Sequence, residues 1–158
     1  MRSSRFARVA VAIDGSPNAE EALSAAIDLA AHQGGALTII AVAPLVPVYL
    51  PSASPYVATP VSRSEAKQYQ GLVDAALKRA EDSGVKAVTG VCLEGVVVDE
   101  ILSFLERNPT DLIVVGSRGL SATKRLLIGS ISSALVTHAP CPVLVVRGRP
   151  TTKPGGSR

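Results

Sequence analysis

Residues 112–138 constrain the fold more than any other stretch. Leu112-Ile113-Val114-Val115 is a short β-branched run of the kind buried on both faces in a parallel sheet. Ile131, Ala134, Leu135 and His138 then recur at i, i+3, i+4 and i+7, which predicts a helix opening at Ser130. Between them lie Gly116, Gly119 and Gly129, with Arg118, Lys124 and Arg125 interspersed and Ser130 and Ser132 following. A strand therefore runs into a helix through a glycine-rich loop.

Such a junction has a chemistry. A helix N-terminus leaves four backbone N–H groups unpaired and carries partial positive charge. Glycines there can take positive φ and let a ligand come close to the backbone. The two serine hydroxyls and the nearby cationic side chains complete what reads as a phosphate site. The alternative is a glycine-rich connection with no ligand.

Neither G-x-x-x-x-G-K-[ST] nor G-x-G-x-x-G occurs in the chain. The spacing is instead Gly116, two residues, Gly119, nine residues, Gly129-Ser130. It resembles the ATP-binding signature of the universal stress protein family. The ending His138-Ala139-Pro140-Cys141-Pro142-Val143-Leu144-Val145-Val146 is similar to that family's too, and the resemblance spans residues 6–147. One departure is Val97, where many members have proline.

The rest of the chain alternates strand and helix patterns. Val9–Ile13 is a strand ended by Asp14, and Gly15, Ser16 and Pro17 provide a turn, a cap and a first helical residue. Ala19, Ala22, Leu23, Ala26, Ile27 and Ala30 form one helical face before Gly34-Gly35. Leu37–Val42 is the second strand. Prolines at 44, 47, 51, 55 and 60 make 43–62 a long structureless loop that either folds over a ligand or is a solvated excursion. A helix follows over Ser64–Asp82, then a strand over Val85–Cys92, a helix carrying Val98, Ile101, Leu102 and Leu105, the strand into Gly116, the helix to His138, and a last strand, Val143–Val146.

This order predicts an α/β fold: a single-domain open parallel sheet of five strands with helices on both faces, Rossmann-like in its nucleotide crevice. Ligands of such sheets bind beyond the carboxyl ends of the strands, where strand order reverses. The strands ending in Asp14 and Gly116 should therefore be neighbours. The resemblance implies the same, with sheet order 3-2-1-4-5 and the nucleotide between strands 1 and 4. Asp14 is a candidate acceptor for ribose hydroxyls or an adenine amino group; its plainer role is turn formation before Gly15. The resemblance adds Val42 as a backbone contact to adenine. The candidate nucleotide-binding set is thus Asp14, Val42, Gly116, Arg118, Gly119, Gly129, Ser130, Ile131 and Ser132.

The implied ligand is ATP, with or without Mg2+; ADP and AMP also fit the same site. No candidate base or metal-holding aspartate faces the phosphates, since Asp111 begins its strand and so sits at the end opposite Gly116. The sequence favours binding over catalysis, and the resemblance implies a stress-signalling module. A slow ATPase or nucleotide-transferring enzyme is one alternative, and a dimeric interaction protein without nucleotide is another. The resemblance implies a homodimer paired through Val143–Val146, an apolar edge.

Charge bears on partners. The formal net charge is +3, but Arg2, Arg5 and Arg8 and four basic residues of 147–158 supply seven positive charges, and taking those seven from +3 leaves −4 on the body. A nucleic-acid face needs a basic stripe and stacking aromatics, and only 3% of residues are aromatic, so no nucleic-acid partner is expected. No apolar run approaches a span's length, and Met1–Arg5 does not read as a signal peptide, so no membrane partner is expected. Cys92 and Cys141 read as buried free thiols of a cytoplasmic protein. The expected organisation is one domain over 1–148 and a disordered basic tail over 149–158.

Overall fold

The computed structural model describes residues 5–48, 57–118 and 128–148. The elements in chain order are β1 (Arg8–Ile13), α1 (Pro17–Gln33), β2 (Ala36–Val48), β3 (Val57–Pro60), α2 (Arg63–Asp82), β4 (Ala87–Gly95), α3 (Val97–Arg107), β5 (Leu112–Gly116), α4 (Ser130–His138) and β6 (Val143–Val146). Five strands pair in parallel in the spatial order β4-β2-β1-β5-β6. With the short β3 set aside, this is the expected order 3-2-1-4-5. β1 and β5 are neighbours, with Val9 beside Leu112 and Ala12 beside Val115.

Side-chain alternation along each strand divides the core in two. Val9, Val11, Leu37, Ile39, Leu112 and Val114 point to the face covered by α1 and α2, while Ala10, Ile40, Ile113 and Val115 point to the face of α3 and α4. The six apolar positions expected on α1 are the six that it buries. Ser16 caps that helix, Pro17 opens it, and Gly34 ends it at φ 62°. Gly90 explains how close α2 lies to the sheet, because a Cβ there would stand 2.5 Å from Val73 Cγ1 and 2.8 Å from Leu77 Cδ1.

The proline-rich segment departs from expectation. It is not structureless: β2 continues to Val48, and β3 returns antiparallel to it, with Leu45 opposite Pro60 and Pro47 opposite Ala58. The ladder to β4 ends at Pro44, and the ladder to β3 starts at Leu45. Pro lacks an N–H to donate, so it fits a peripheral hairpin and not a central ladder. Residues 49–56, between β2 and β3 in sequence, and residues 149–158 lie outside the described residues.

Candidate functional site

The carboxyl ends of β1 and β5 meet two turns tied to each other. After β1, Asp14 Oδ1 accepts from the Ser16 amide at 2.9 Å, and Gly15 sits at φ 81°. This is the turn-forming role expected of an Asx residue before glycine. Ser16 is 2% exposed; its Oγ accepts from Ala19 N at 3.2 Å and donates to the Arg118 carbonyl at 3.4 Å. One side chain thus caps α1 and fixes the start of the glycine-rich loop after β5.

The loop is closed at its base. The Gly129 amide donates to Ser117 O at 2.6 Å, and Ser132 Oγ donates to Ser117 O at 3.2 Å and to Gly129 O at 3.1 Å. Ser117 N–H in turn donates to Val146 O at 2.7 Å. Ser16, Ser117 and Ser132 are the buried polar residues among those described, and all three line the floor of this junction. Ser132 was expected to offer its hydroxyl to a ligand; it is 3% exposed and its hydroxyl turns inward. Only its amide is left for that purpose.

α4 has Gly129 at its N-cap with no side-chain cap, and its first intrahelical bond runs from Ser133 N–H to Gly129 O. The amides of Ser130, Ile131 and Ser132 precede that bond, as a helix N-terminus requires. Ser130 is exposed, whereas Ile131 packs partly into the core beneath α4.

The glycines act differently from expectation. Neither Gly116 nor Gly129 has positive φ. What distinguishes them is the missing Cβ, strictly at Gly116 and more mildly at Gly129. At Gly116 a Cβ would lie 2.8 Å from Asn18 C and 2.9 Å from Ala19 N, so this glycine lets the first turn of α1 rest against the end of β5. At Gly129 a Cβ would meet Ser117 O at 3.3 Å and Arg118 Cα at 3.4 Å. Gly119 lies outside the described residues, as do Lys124 and Arg125.

On the β2 side, Ile13 pairs with Ala41, so Val42 lies just past the end of β1. Its side chain is buried, 5% exposed, on the α3 and α4 face; only its backbone can face a ligand. Beside Asp14 opens a cleft of about 240 Å³. Asp14, Glu65, Gln68 and Tyr69 supply its polar lining, and Pro44, Val61 and Leu72 the rest. The α2 wall of this cleft was not foreseen. Its one sequence signal was Ser62-Arg63-Ser64-Glu65, a capping-box spelling that starts the helix at Arg63, one residue earlier than expected.

Asp111 lies at the opposite end of the strands, just before β5. It accepts from Arg8 N at 2.8 Å and pairs with Arg8 Nη2 at 2.6 Å, which ties the first residues of β1 and β5. The Arg8 hydrogen bonds hold its carboxyl below the usual range against an opposing effect of burial. Among the described residues no three His, Cys, Asp or Glu side chains stand together as a metal site, and no helix is long and apolar enough to cross a membrane.

The sequence model of the universal stress protein family matches residues 5–147. The chain belongs to that family. Universal stress protein YxiE of Bacillus subtilis is 37% identical over 149 residues, which cover 90% of this chain and 99% of that protein. Two solved structures share the family's fold. A universal stress protein in complex with cAMP superposes with TM-score 0.69 at 22% identity, covering 92% of this chain and 100% of the other. One from Archaeoglobus fulgidus in complex with dAMP gives 0.61 at 18% identity, covering 89% and 98%.

Proposed function

We propose that this chain is an adenine-nucleotide-binding universal stress protein that takes ATP at the β1/β5 crevice and works as a dimeric cytoplasmic signalling module. The observation that carries the reading is the uncapped N-terminus of α4, held by Gly129 and Ser132 against the end of β5, one strand from Asp14. Free amides at a helix start suit phosphate oxygens. The residues present fit the ligand at both ends. The amides of Ser130, Ile131 and Ser132, the Ser130 hydroxyl and the Arg118 side chain would hold phosphates, and Asp14 with the backbone at Val42 would meet the nucleoside. Family members solved with cAMP and dAMP add support. Any Mg2+ would come with the phosphates.

The residues bind and orient. A handful of charge-assisted hydrogen bonds at roughly 1.5–3 kcal/mol each, offset by association and ordering, is enough for the roughly 8 kcal/mol of a micromolar ligand. Dimerisation is proposed through β6, an edge strand of the parallel sheet whose Leu144 is 38% exposed. Light scattering at micromolar protein should give twice the chain mass; a monomer mass removes the dimer from the reading.

The deciding experiment denatures freshly purified protein and identifies released nucleotide by mass. ATP near one per chain supports binding without turnover. ADP or AMP redirects the reading to a slow ATPase. An empty protein that also gives a flat Mg-ATP titration overturns it.

A further inference from the structure

The residue that follows β6 is anchored on both sides. Before it, Val146 O accepts from Ser117 N–H at 2.7 Å. After it, the Gly148 amide donates to Asn18 Oδ1 at 2.8 Å. Asn18 belongs to the first turn of α1 and bridges two strand ends. Gly116 rests on its backbone, and a Cβ at Gly148 would stand 2.6 Å from its Oδ1. Between these anchors lies Arg147. It is exposed and joins none of the ion pairs among the described residues, which are Arg8–Asp111, Lys78–Asp82 and Arg79–Glu20. Its backbone is fixed while its charge is left for something else.

Its place suggests what that is. Gly116 pairs with Val146, so position 147 comes beside Ser117, whose carbonyl accepts from the N-cap Gly129 of α4. Val143 and Val145 pack on the face of α4, and strand alternation puts position 147 on that same face. Along β5, β6 and the first turns of α1 and α4, the described cations are Arg118 and Arg147. A helix start offers roughly half a unit of positive charge. That is too little to offset a chain of phosphates.

We propose that Arg147, held by Asn18, sets how many phosphates the site prefers: its guanidinium pairs with the phosphates beyond the first, so the chain selects nucleoside triphosphates over monophosphates. This rests on the nucleotide reading above and adds a residue from outside the glycine-rich loop. The planar fork of guanidinium donors matches phosphate oxygens. Asn18 is a positioning residue that acts through the Gly148 backbone.

The test is calorimetry on the full chain with ATP and AMP. Wild type should hold ATP more tightly than AMP. Arg147→Gln should weaken ATP about tenfold, the low end for a hydrogen bond to a charged group, and leave AMP unchanged. The side chain is exposed, so this variant should fold. Asn18→Ala should weaken ATP by about threefold with AMP unchanged, whereas a merely structural role would weaken both. Wild type binding ATP and AMP equally overturns the inference and leaves the nucleotide reading standing. So does an Arg147→Gln variant that loses both ligands equally or loses neither. A changed mass of Arg147→Gln by light scattering would assign the arginine to contact between copies and also overturns it. Wild type binding neither ligand overturns both.

Discussion

The amide of Gly129 donates to the carbonyl of Ser117 at 2.6 Å, so the two ends of the glycine-rich loop touch where β5 stops and α4 starts. Any β-carbon at 129 would already press on Ser117 O and Arg118 Cα. Gly129→Val adds two methyls beyond that point, in front of the amides of α4. Its φ of −72° suits an L residue, so the backbone need not strain. The expected outcome is a folded protein by circular dichroism with no measurable ATP affinity. Retained affinity in the folded variant would place the phosphates elsewhere.

Ser130 is exposed at the first position of α4, next to the amides proposed to hold phosphates. Ser130→Ala should weaken ATP binding by about 1–2 kcal/mol through loss of one hydroxyl bond. Unchanged calorimetric affinity would remove the hydroxyl from the ligand set and leave only the amide.

Gly116 has a different task, since it lies against the backbone of Asn18 and Ala19. Backbone cannot move aside as a flexible side chain does. Gly116→Ala should cost about 1–3 kcal/mol in overpacking, read as a lower urea midpoint with unchanged slope. An unshifted midpoint would mean that α1 rides away from β5 freely.

Much of this could be read before any coordinates. The α1 face was legible because its six buried positions are spaced at helical period and bounded by Ser16 and Gly34. The neighbouring of β1 and β5 was legible because Asp14 and Gly116 both end strands in a fold that binds ligands at one edge. The hairpin of β2 and β3 was not. Its prolines argue locally against a ladder, and only tertiary placement at a periphery permits them. Nor could spacing tell that Gly116 serves α1 packing or that Ser132 turns inward, since both depend on what another segment brings near. The α2 wall of the cleft escaped because Glu65 and Tyr69 lie about fifty residues from Asp14 and share no motif with it.

The capping box at the start of α2 gives a prediction independent of any ligand. Ser62 Oγ accepts from Glu65 N at 3.3 Å while Glu65 Oε2 accepts from Ser62 N. Ser62→Ala removes the hydroxyl and should destabilise the fold by about 1 kcal/mol, with exchange protection lost first in the opening turn of α2. If protection falls evenly along the helix instead, the cap is not what holds that end.

Acid should act through two lowered carboxyls, Asp111 at the end of the strands opposite the crevice and Glu65 at the start of α2. Arg8 hydrogen bonds lower the Asp111 carboxyl, and the Ser62 hydroxyl and amide lower that of Glu65. A carboxyl lowered on folding binds fewer protons in the folded than in the unfolded chain. Its contribution is therefore complete above the unfolded carboxylate range of about 3.9–4.3 and is lost as pH falls through the lower folded values. Asp111→Asn keeps the size of the side chain but removes the charge. Urea midpoints should lie below wild type at pH 7 and converge on it as the pH falls toward 2. The convergence should weaken in 0.5 M salt, because both partners are partly solvated and the Debye length is then only about 4 Å. Midpoints parallel at all pH values would show that Arg8 gains nothing from the charge of Asp111 beyond what a neutral acceptor provides.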